Sequence, residues 1–301
     1  MAVTDHPAPL AALLDGTLLG PGEPLLRPDD LGVLRGEGVF ETTLVVDGEP
    51  RDLEEHLARL TVSAELIAMT VPAPAEWRRG VRAVVRAWTG DREMVLRLVA
   101  SRGPESAGGP VCYVLGAAIS PRSVRQRTRG VRVLLLDRGF SAAAAHAAPW
   151  LLAGAKTLSY GVNMAALRYA ADHDADDVIF VGTDGGVLEA PTSTVVLARG
   201  RTLFTPPTQG ILDGITVRRL FRAAAGVGWA TGAQRLTGEE LLAADGVWLV
   251  SSARLLAPVT AVDGKQLVGN SPATSALAGG SLTAQLAELL DVPVPVAGDD
   301  G

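Results

Sequence analysis

Of the 27 basic side chains in this chain of 301 residues, only Lys156 and Lys265 are lysine. Arginine stays protonated in proteins, whereas a lysine amine can lose its proton on burial and attack a carbonyl carbon. A lysine kept in so arginine-rich a sequence is therefore a candidate nucleophile. Lys265 closes Val262-Asp263-Gly264-Lys265, a turn signal that suits a solvated charge. Lys156 lies in Leu151-Leu152-Ala153-Gly154-Ala155-Lys156-Thr157-Leu158, among small and apolar residues. Two readings stand for it: a reactive amine, or a lysine at the end of an element that lays its stem along apolar surface.

Glu189 follows Gly185-Gly186 and two apolar residues and precedes Ala190-Pro191-Thr192-Ser193-Thr194, which sets a carboxylate between two strand-like runs. It is either solvated at a strand end or buried with a cationic partner, for which a protonated pyridine nitrogen would serve. Gly210-Ile211-Leu212-Asp213-Gly214-Ile215-Thr216 leads into Val217-Arg218-Arg219-Leu220-Phe221, a glycine turn opening a helix. The free N–H groups of such a start can hold an anion, and the same pattern also describes an ordinary helix start. Gly36-Glu37-Gly38 resembles part of a phosphate loop but lacks the third glycine and the lysine.

The elements that must position these groups show in the apolar spacing. A strand at 44–46, a turn at 47–50 and a helix over 53–69 come first. In that helix Leu53, Leu57, Leu60, Ala64 and Ile67 form the apolar stripe, Asp52 is the expected N-cap, and His56, Arg59 and Ser63 form a polar edge. A second helix carries Trp77, Val81, Val84, Val85 and Trp88 after the breakers Pro72 and Pro74. Strands are expected at 94–101 and 111–118. Ser120 to Gly130 turns polar and reads as an exposed linker. The expected organisation is thus a small α/β domain over 1–119, a linker over 120–130 and a larger domain over 131–301. In the larger domain strands are expected at 131–136, 178–181, 194–198 and 247–250, and helices at 162–172, 217–225 and 281–290. Strands and helices mix without regular alternation or repeat, which indicates an α+β class.

Composition excludes several functions. With 27 basic against 33 acidic residues there is no basic stripe to neutralise phosphates, so no nucleic-acid partner is expected. The start of the sequence lacks a secretory pattern and no apolar run is long enough for a bilayer, so a cytoplasmic protein with no membrane partner is expected. The single cysteine, Cys112, cannot form an internal disulfide, and four scattered histidines give no metal-ligand spacing. No metal is expected.

The order Gly36-Glu37-Gly38-Val39-Phe40-Glu41-Thr42, His56-Leu57-Ala58-Arg59-Leu60, Lys156, Glu189, Gly214-Ile215-Thr216, and Ser251-Ser252 with Pro258-Val259 resembles the class-IV aminotransferases. The match runs from about Leu14 to Gly264; each motif is weak, and six in order are specific. The resemblance implies pyridoxal-phosphate fold type IV: two α/β domains with the cofactor between them, normally in a homodimer, acting on a small-molecule substrate. It also implies that Lys156 carries pyridoxal 5'-phosphate as a Schiff base and moves the proton, while Glu189 holds the pyridine nitrogen protonated. Arg59, the N–H groups of Ile215 and Thr216, and Ser252 would bind the phosphate, and Tyr160 would reach the phenolic oxygen.

Within the family, the D-amino-acid enzymes use a tyrosine where this chain has Phe40, and an Arg-x-His trap that Pro104-Glu105-Ser106-Ala107-Gly108-Gly109 lacks. Branched-chain enzymes usually read Phe-Glu-Gly-Ile-Arg where this chain has Phe40-Glu41-Thr42-Thr43-Leu44. Thr42-Thr43 and Ser101-Arg102-Gly103 look more like the 4-amino-4-deoxychorismate lyases, although Leu44 and Thr194 depart from that group, which favours arginine and asparagine there. The expectation is a lyase that yields 4-aminobenzoate and pyruvate, a step in folate synthesis, with Thr43, Arg97 and Arg102 toward the substrate. For Arg97 the competing reading is a solvent-facing strand residue. The alternatives are an aminotransferase acting on branched-chain or D-amino acids and, more remotely, a cofactor-binding protein without catalysis.

Overall fold

The computed structural model describes residues 8–20, 22–106, 108–267, 269 and 281–292. The ends of the two expected domains, 1–7 and 293–301, lie outside the described residues. The chain divides into two compact units, Met1–Ile119 with Ala155–Tyr160, and Ser120–Gly154 with Gly161–Gly301. The short segment carrying Lys156 therefore belongs with the first unit, although it lies in the second half of the sequence.

In the first unit β1 (Leu10–Leu13), β2 (Leu18–Leu19), β3 (Gly38–Val46), β4 (Glu49–Pro50), β5 (Glu93–Ser101) and β6 (Val111–Ala118) form one sheet in the order β2-β1-β6-β5-β3-β4. Every pairing in it is antiparallel. A five-residue helix, α1 (Leu31–Arg35), precedes β3, and α2 (Leu53–Leu66) and α3 (Pro74–Ala87) pack on the sheet. Val39, Val45, Leu96 and Leu98 meet Leu57, Leu60, Trp77 and Val81 there in one apolar core.

Three local expectations are corrected. The helix expected over 53–69 stops at Leu66, because Ala68 takes a left-handed φ of 50° and the Met69 N–H turns back to the Ala64 carbonyl. Asp52 stands at the N-cap position of α2 but is itself left-handed and makes no capping bond with its side chain. Pro74 opens α3 rather than preceding it; its missing N–H costs nothing in a first turn.

The second unit holds β7 (Val131–Asp137), β8 (Asp177–Val181), β9 (Thr194–Arg199), β10 (Thr202–Thr205), β11 (Ala230–Ala233), β12 (Gly246–Ser251), β13 (Leu255–Val262) and β14 (Lys265–Gln266). Their order is β11-β10-β9-β12-β13-β7-β8, with β14 beside β13. The pairs β10–β11, β13–β7 and β7–β8 are parallel and the others antiparallel. Around this mixed sheet lie α4 (Pro121–Arg129), α5 (Ala142–Ala147), α6 (Gly161–Asp172), α7 (Ile215–Gly226), α8 (Gly238–Leu242) and α9 (Leu282–Leu289). α6 covers β7 and β8, while α7 and α9 pack on each other and on β12 and β13 respectively.

The stretch expected as an exposed linker is α4. Ser120 caps it by accepting from the Ser123 N–H at 3.1 Å, and Gln126 and Arg127 are buried. Its polar composition misleads because its inward side chains satisfy a buried polar network instead of an apolar stripe. No helix among the described residues is long and apolar enough to cross a membrane.

Candidate functional site

Lys156 sits on an added edge of the first unit's sheet. The Phe40 N–H donates to the Lys156 carbonyl at 3.0 Å, and the Leu158 N–H donates to the Gly38 carbonyl at 2.9 Å, so this segment lies along β3. Gly38 allows that approach: a Cβ there would come 2.5 Å from the Ala100 carbonyl oxygen and 2.6 Å from Leu158 Cδ1. Gly36 turns at φ 70° directly under Ser159, whose hydroxyl donates to the Gly36 carbonyl at 3.2 Å. The motif Gly36-Glu37-Gly38 thus seats the lysine segment rather than holding a phosphate.

The Lys156 amine lies 4.3 Å from the centroid of the Phe40 ring and 3.4 Å from the Tyr160 hydroxyl. Phe40 and Tyr160 meet edge to face at 5.2 Å, which fixes both rings beside the amine. The Lys156 backbone N–H donates to Ser63 Oγ on α2 at 3.1 Å.

Behind this edge, α2 turns its polar residues inward. Glu41 of β3 is fully buried; its carboxylate accepts from Arg59 Nε at 2.6 Å, Arg59 Nη2 at 2.8 Å and His56 Nδ1 at 2.7 Å. Burial alone would raise the Glu41 pKa, but the Arg59 charge and hydrogen bonds, with those of His56, prevail and hold it at about 2. The guanidinium of Arg59 is consequently held in one plane by a two-point contact.

The second unit carries a helix start whose chemistry suits an anion. α7 begins after Gly214, which offers no side chain to cap the first N–H groups, at Ile215 and Thr216. Thr216 Oγ1 and Ser252 Oγ stand 3.2 Å apart at that end. Uncapped N–H groups beside two hydroxyls are the donor set a phosphate needs. Glu189 is half-buried; its carboxylate accepts from the Leu212 N–H at 3.2 Å, and its carbonyl accepts from the Phe180 N–H at 2.9 Å. Taken by itself, the first unit carries an amine with a phenol at hand; the second, by itself, carries a helix start with two hydroxyls and a braced carboxylate. Each set is of the chemical kind that pyridoxal phosphate uses.

The three residues expected to face the substrate fare differently. Thr43 is fully buried on the face of β3 that carries Glu41, and its hydroxyl donates to the Arg51 carbonyl at 2.5 Å, which leaves it no surface for substrate. The Arg102 guanidinium is committed to Glu37 Oε2 at 2.5 Å and to the Ile67 and Ala68 carbonyls at 2.6 and 3.3 Å, where it closes the C-terminal end of α2. Arg97 is exposed and pairs with Thr42 across β3 and β5, so it shares the sheet face of Phe40.

Sequence reasoning missed Glu41 and Ser63 as partners of the site. The available signal was the spacing of His56, Arg59 and Ser63, which share one side of a helix next to its apolar stripe.

The family model described as amino-transferase class IV matches residues 38–262. The chain belongs to the class IV aminotransferase family. It is accordingly an enzyme, with the α+β, fold-type-IV architecture that the resemblance implied. Among its relatives is a "Bifunctional aminodeoxychorismate lyase / D-amino acid transaminase" of Mycobacterium tuberculosis (strain ATCC 25618 / H37Rv), 45% identical over 86% of this chain and 93% of that protein. Two solved structures match closely, each described as a hypothetical aminotransferase from Mycobacterium tuberculosis. The PLP-bound form is 44% identical at TM-score 0.88, with 94% of this chain and 98% of that one covered. The form bound to α-ketoglutarate and PMP is 45% identical at TM-score 0.87, with 94% and 97% covered.

Proposed function

We propose that this class IV enzyme converts 4-amino-4-deoxychorismate to 4-aminobenzoate and pyruvate. Its cofactor is pyridoxal 5'-phosphate, which when bound supplies an electron sink for the carbon bearing the substrate amine. Lys156 Nζ would hold the cofactor, and its amine would take and move the proton at the carbon that bears the substrate nitrogen. Glu189 keeps a proton on the pyridine nitrogen, and Tyr160 directs its hydroxyl to the phenolic oxygen. Arg59, the N–H groups of Ile215 and Thr216, and Ser252 hold the phosphate. Arg97 is the remaining candidate for a substrate carboxylate; Thr43 and Arg102 are withdrawn because their polar groups are spent inside the first unit.

The observation that carries the lyase reading is Phe40 beside the Lys156 amine, where the D-amino-acid enzymes use a tyrosine. The 45% identical relative, whose name includes the lyase activity, supports it. A second reading, transfer from D-amino acids, is favoured by that relative's other named activity and by the neighbour holding α-ketoglutarate. Incubation with 4-amino-4-deoxychorismate and, separately, with D-alanine or leucine plus 2-oxoglutarate tests the assignment. Formation of 4-aminobenzoate as the fastest reaction is expected. Faster turnover of either amino acid would remove the lyase assignment.

A homodimer is proposed on the family resemblance, with light scattering on the purified protein as its test.

A further inference from the structure

The turn joining β12 to β13 is built around buried charge. Leu255 adopts a φ of 61° while buried, a left-handed backbone that a branched side chain holds only where its surroundings impose it. Arg127 of α4 braces the preceding residues from one side: its Nη2 donates to the Ala253 carbonyl at 2.8 Å and its Nε to the Arg254 carbonyl at 3.2 Å. Arg254 then reaches away from the turn. Its Nη1 donates to Asp177 Oδ2 at 2.7 Å and Gln126 Oε1 at 3.0 Å, and its Nη2 to Ser193 Oγ at 2.5 Å. Arg127, Arg254 and Asp177 are 3%, 6% and 2% exposed.

This network grips two loops that carry proposed cofactor groups. Ser252 precedes the clamped carbonyls, and its hydroxyl lies 3.2 Å from that of Thr216. Ser193 closes the turn that follows Glu189, where the Ala190 N–H donates to the Ser193 carbonyl at 2.8 Å. A buried ion pair is a poor device for stability, since an apolar replacement is often as good, whereas fixed charge-assisted bonds are well suited to holding a turn in one register. Donors set in advance spare a bound anion the entropy of ordering them.

We propose that Arg127 and Arg254 are positioning residues for the cofactor's phosphate, fixing the turn that sets the Ser252 hydroxyl beside Thr216. The proposal rests on the reading that Ser252 and Thr216 hold that phosphate.

The test compares the affinity of the full-length apoprotein for pyridoxal 5'-phosphate and for pyridoxal, which lacks the phosphate, by fluorescence titration. The wild type should prefer the phosphorylated form. Arg127→Met should lose about tenfold in affinity for pyridoxal 5'-phosphate, the scale on which outer partners act on the groups they orient. Its affinity for pyridoxal should hold, and Arg127→Lys, which keeps a donor, should recover part of the loss. Equal losses for both compounds, or no loss, would overturn the positioning role and leave the network to the fold alone. A wild type with no preference for the phosphorylated compound would instead remove the phosphate site itself, and the proposal with it. Arg254→Met should show the same selective loss. Should neither methionine variant fold, the ratio of the two affinities in Arg127→Lys decides: unchanged from wild type, it sinks the proposal, and lowered, it supports it.

Discussion

Arg59 meets Glu41 along two parallel bonds of 2.6 and 2.8 Å, and the carboxylate that receives them is fully buried. The pair links α2 to β3 and fixes the guanidinium proposed to meet the cofactor's phosphate. The Glu41 pKa is depressed from 4.5 to about 2 in the folded protein, so unfolding takes up a proton in the interval between. The contribution of the pair is therefore complete above the unfolded value and is lost as the pH falls through the folded one. Glu41→Gln should cost roughly 3 kcal/mol near neutrality, because half-buried Arg59 and buried His56 lose their carboxylate. Urea midpoints of both proteins should keep a constant gap above pH 4.5 and converge below it, toward about 2. A gap that stayed open at the acid end would refute the assigned ionisation.

The same pair complicates a simple test of Arg59, because removing it strands Glu41. Arg59→Met should both weaken binding of pyridoxal 5'-phosphate and lower the melting temperature. Adding Glu41→Gln to that variant should restore much of the stability and none of the affinity. Recovery of affinity in the double variant would mean that Arg59 acts on the fold and not on the phosphate.

Lys156 and Glu189 should separate by defect. Purified wild type should be yellow, and borohydride should fix the cofactor on the peptide containing Lys156, as mass spectrometry would read. Lys156→Ala should lose that fixation and at least about 10²-fold in rate, and Lys156→Arg should do no better, since a guanidinium forms no imine. Glu189→Gln should still bind cofactor but lose about 10²-fold in rate, because an amide does not favour a protonated pyridine nitrogen. Retained activity in Lys156→Ala would end the cofactor reading altogether.

Lys156 could be singled out from the sequence because its signal is chemical: it is one of two lysines, Lys265 being the other, in a chain that otherwise uses arginine. The apolar stripes of α2 and α3 were legible because apolar burial is periodic. The polar face of α2 was harder, since His56, Arg59 and Ser63 have the composition of a solvated edge, yet His56 and Ser63 are buried and Arg59 is half-buried, with Glu41 and the Lys156 backbone complementing them. Such complements come from residues far apart in the chain, and a local reading of the sequence does not reach them. α4 was misread as a linker for the same reason, its Gln126 and Arg127 being satisfied by residues more than a hundred positions away. Thr43 and Arg102 were plausible substrate contacts by type, and the structure spends both on backbone carbonyls.

Lyase and transaminase share the first removal of a proton and divide afterwards. A transaminase must deliver a proton to the cofactor side and leave the substrate nitrogen there, so it stops after one turnover unless a keto acid takes the nitrogen away. A lyase expels pyruvate from 4-amino-4-deoxychorismate and keeps the nitrogen on the aromatic product, so it needs no second substrate. The environment of the Lys156 amine bears on that choice. Phe40 at 4.3 Å offers only a ring face, whereas a tyrosine there could also offer a hydroxyl to an amino-acid carboxylate. Sustained release of 4-aminobenzoate and pyruvate is therefore expected with no keto acid added, while D-alanine and leucine turn over slowly. Phe40→Tyr should raise D-alanine transfer relative to the lyase reaction, by about tenfold if the new hydroxyl makes a charge-assisted bond to the carboxylate. Both rates are read from the same preparations, by fluorescence of 4-aminobenzoate and by coupled detection of pyruvate. A requirement for 2-oxoglutarate in the wild-type reaction, or a Phe40→Tyr variant with unchanged preference, would remove the lyase assignment or the role given to Phe40, respectively, and leave the cofactor chemistry standing.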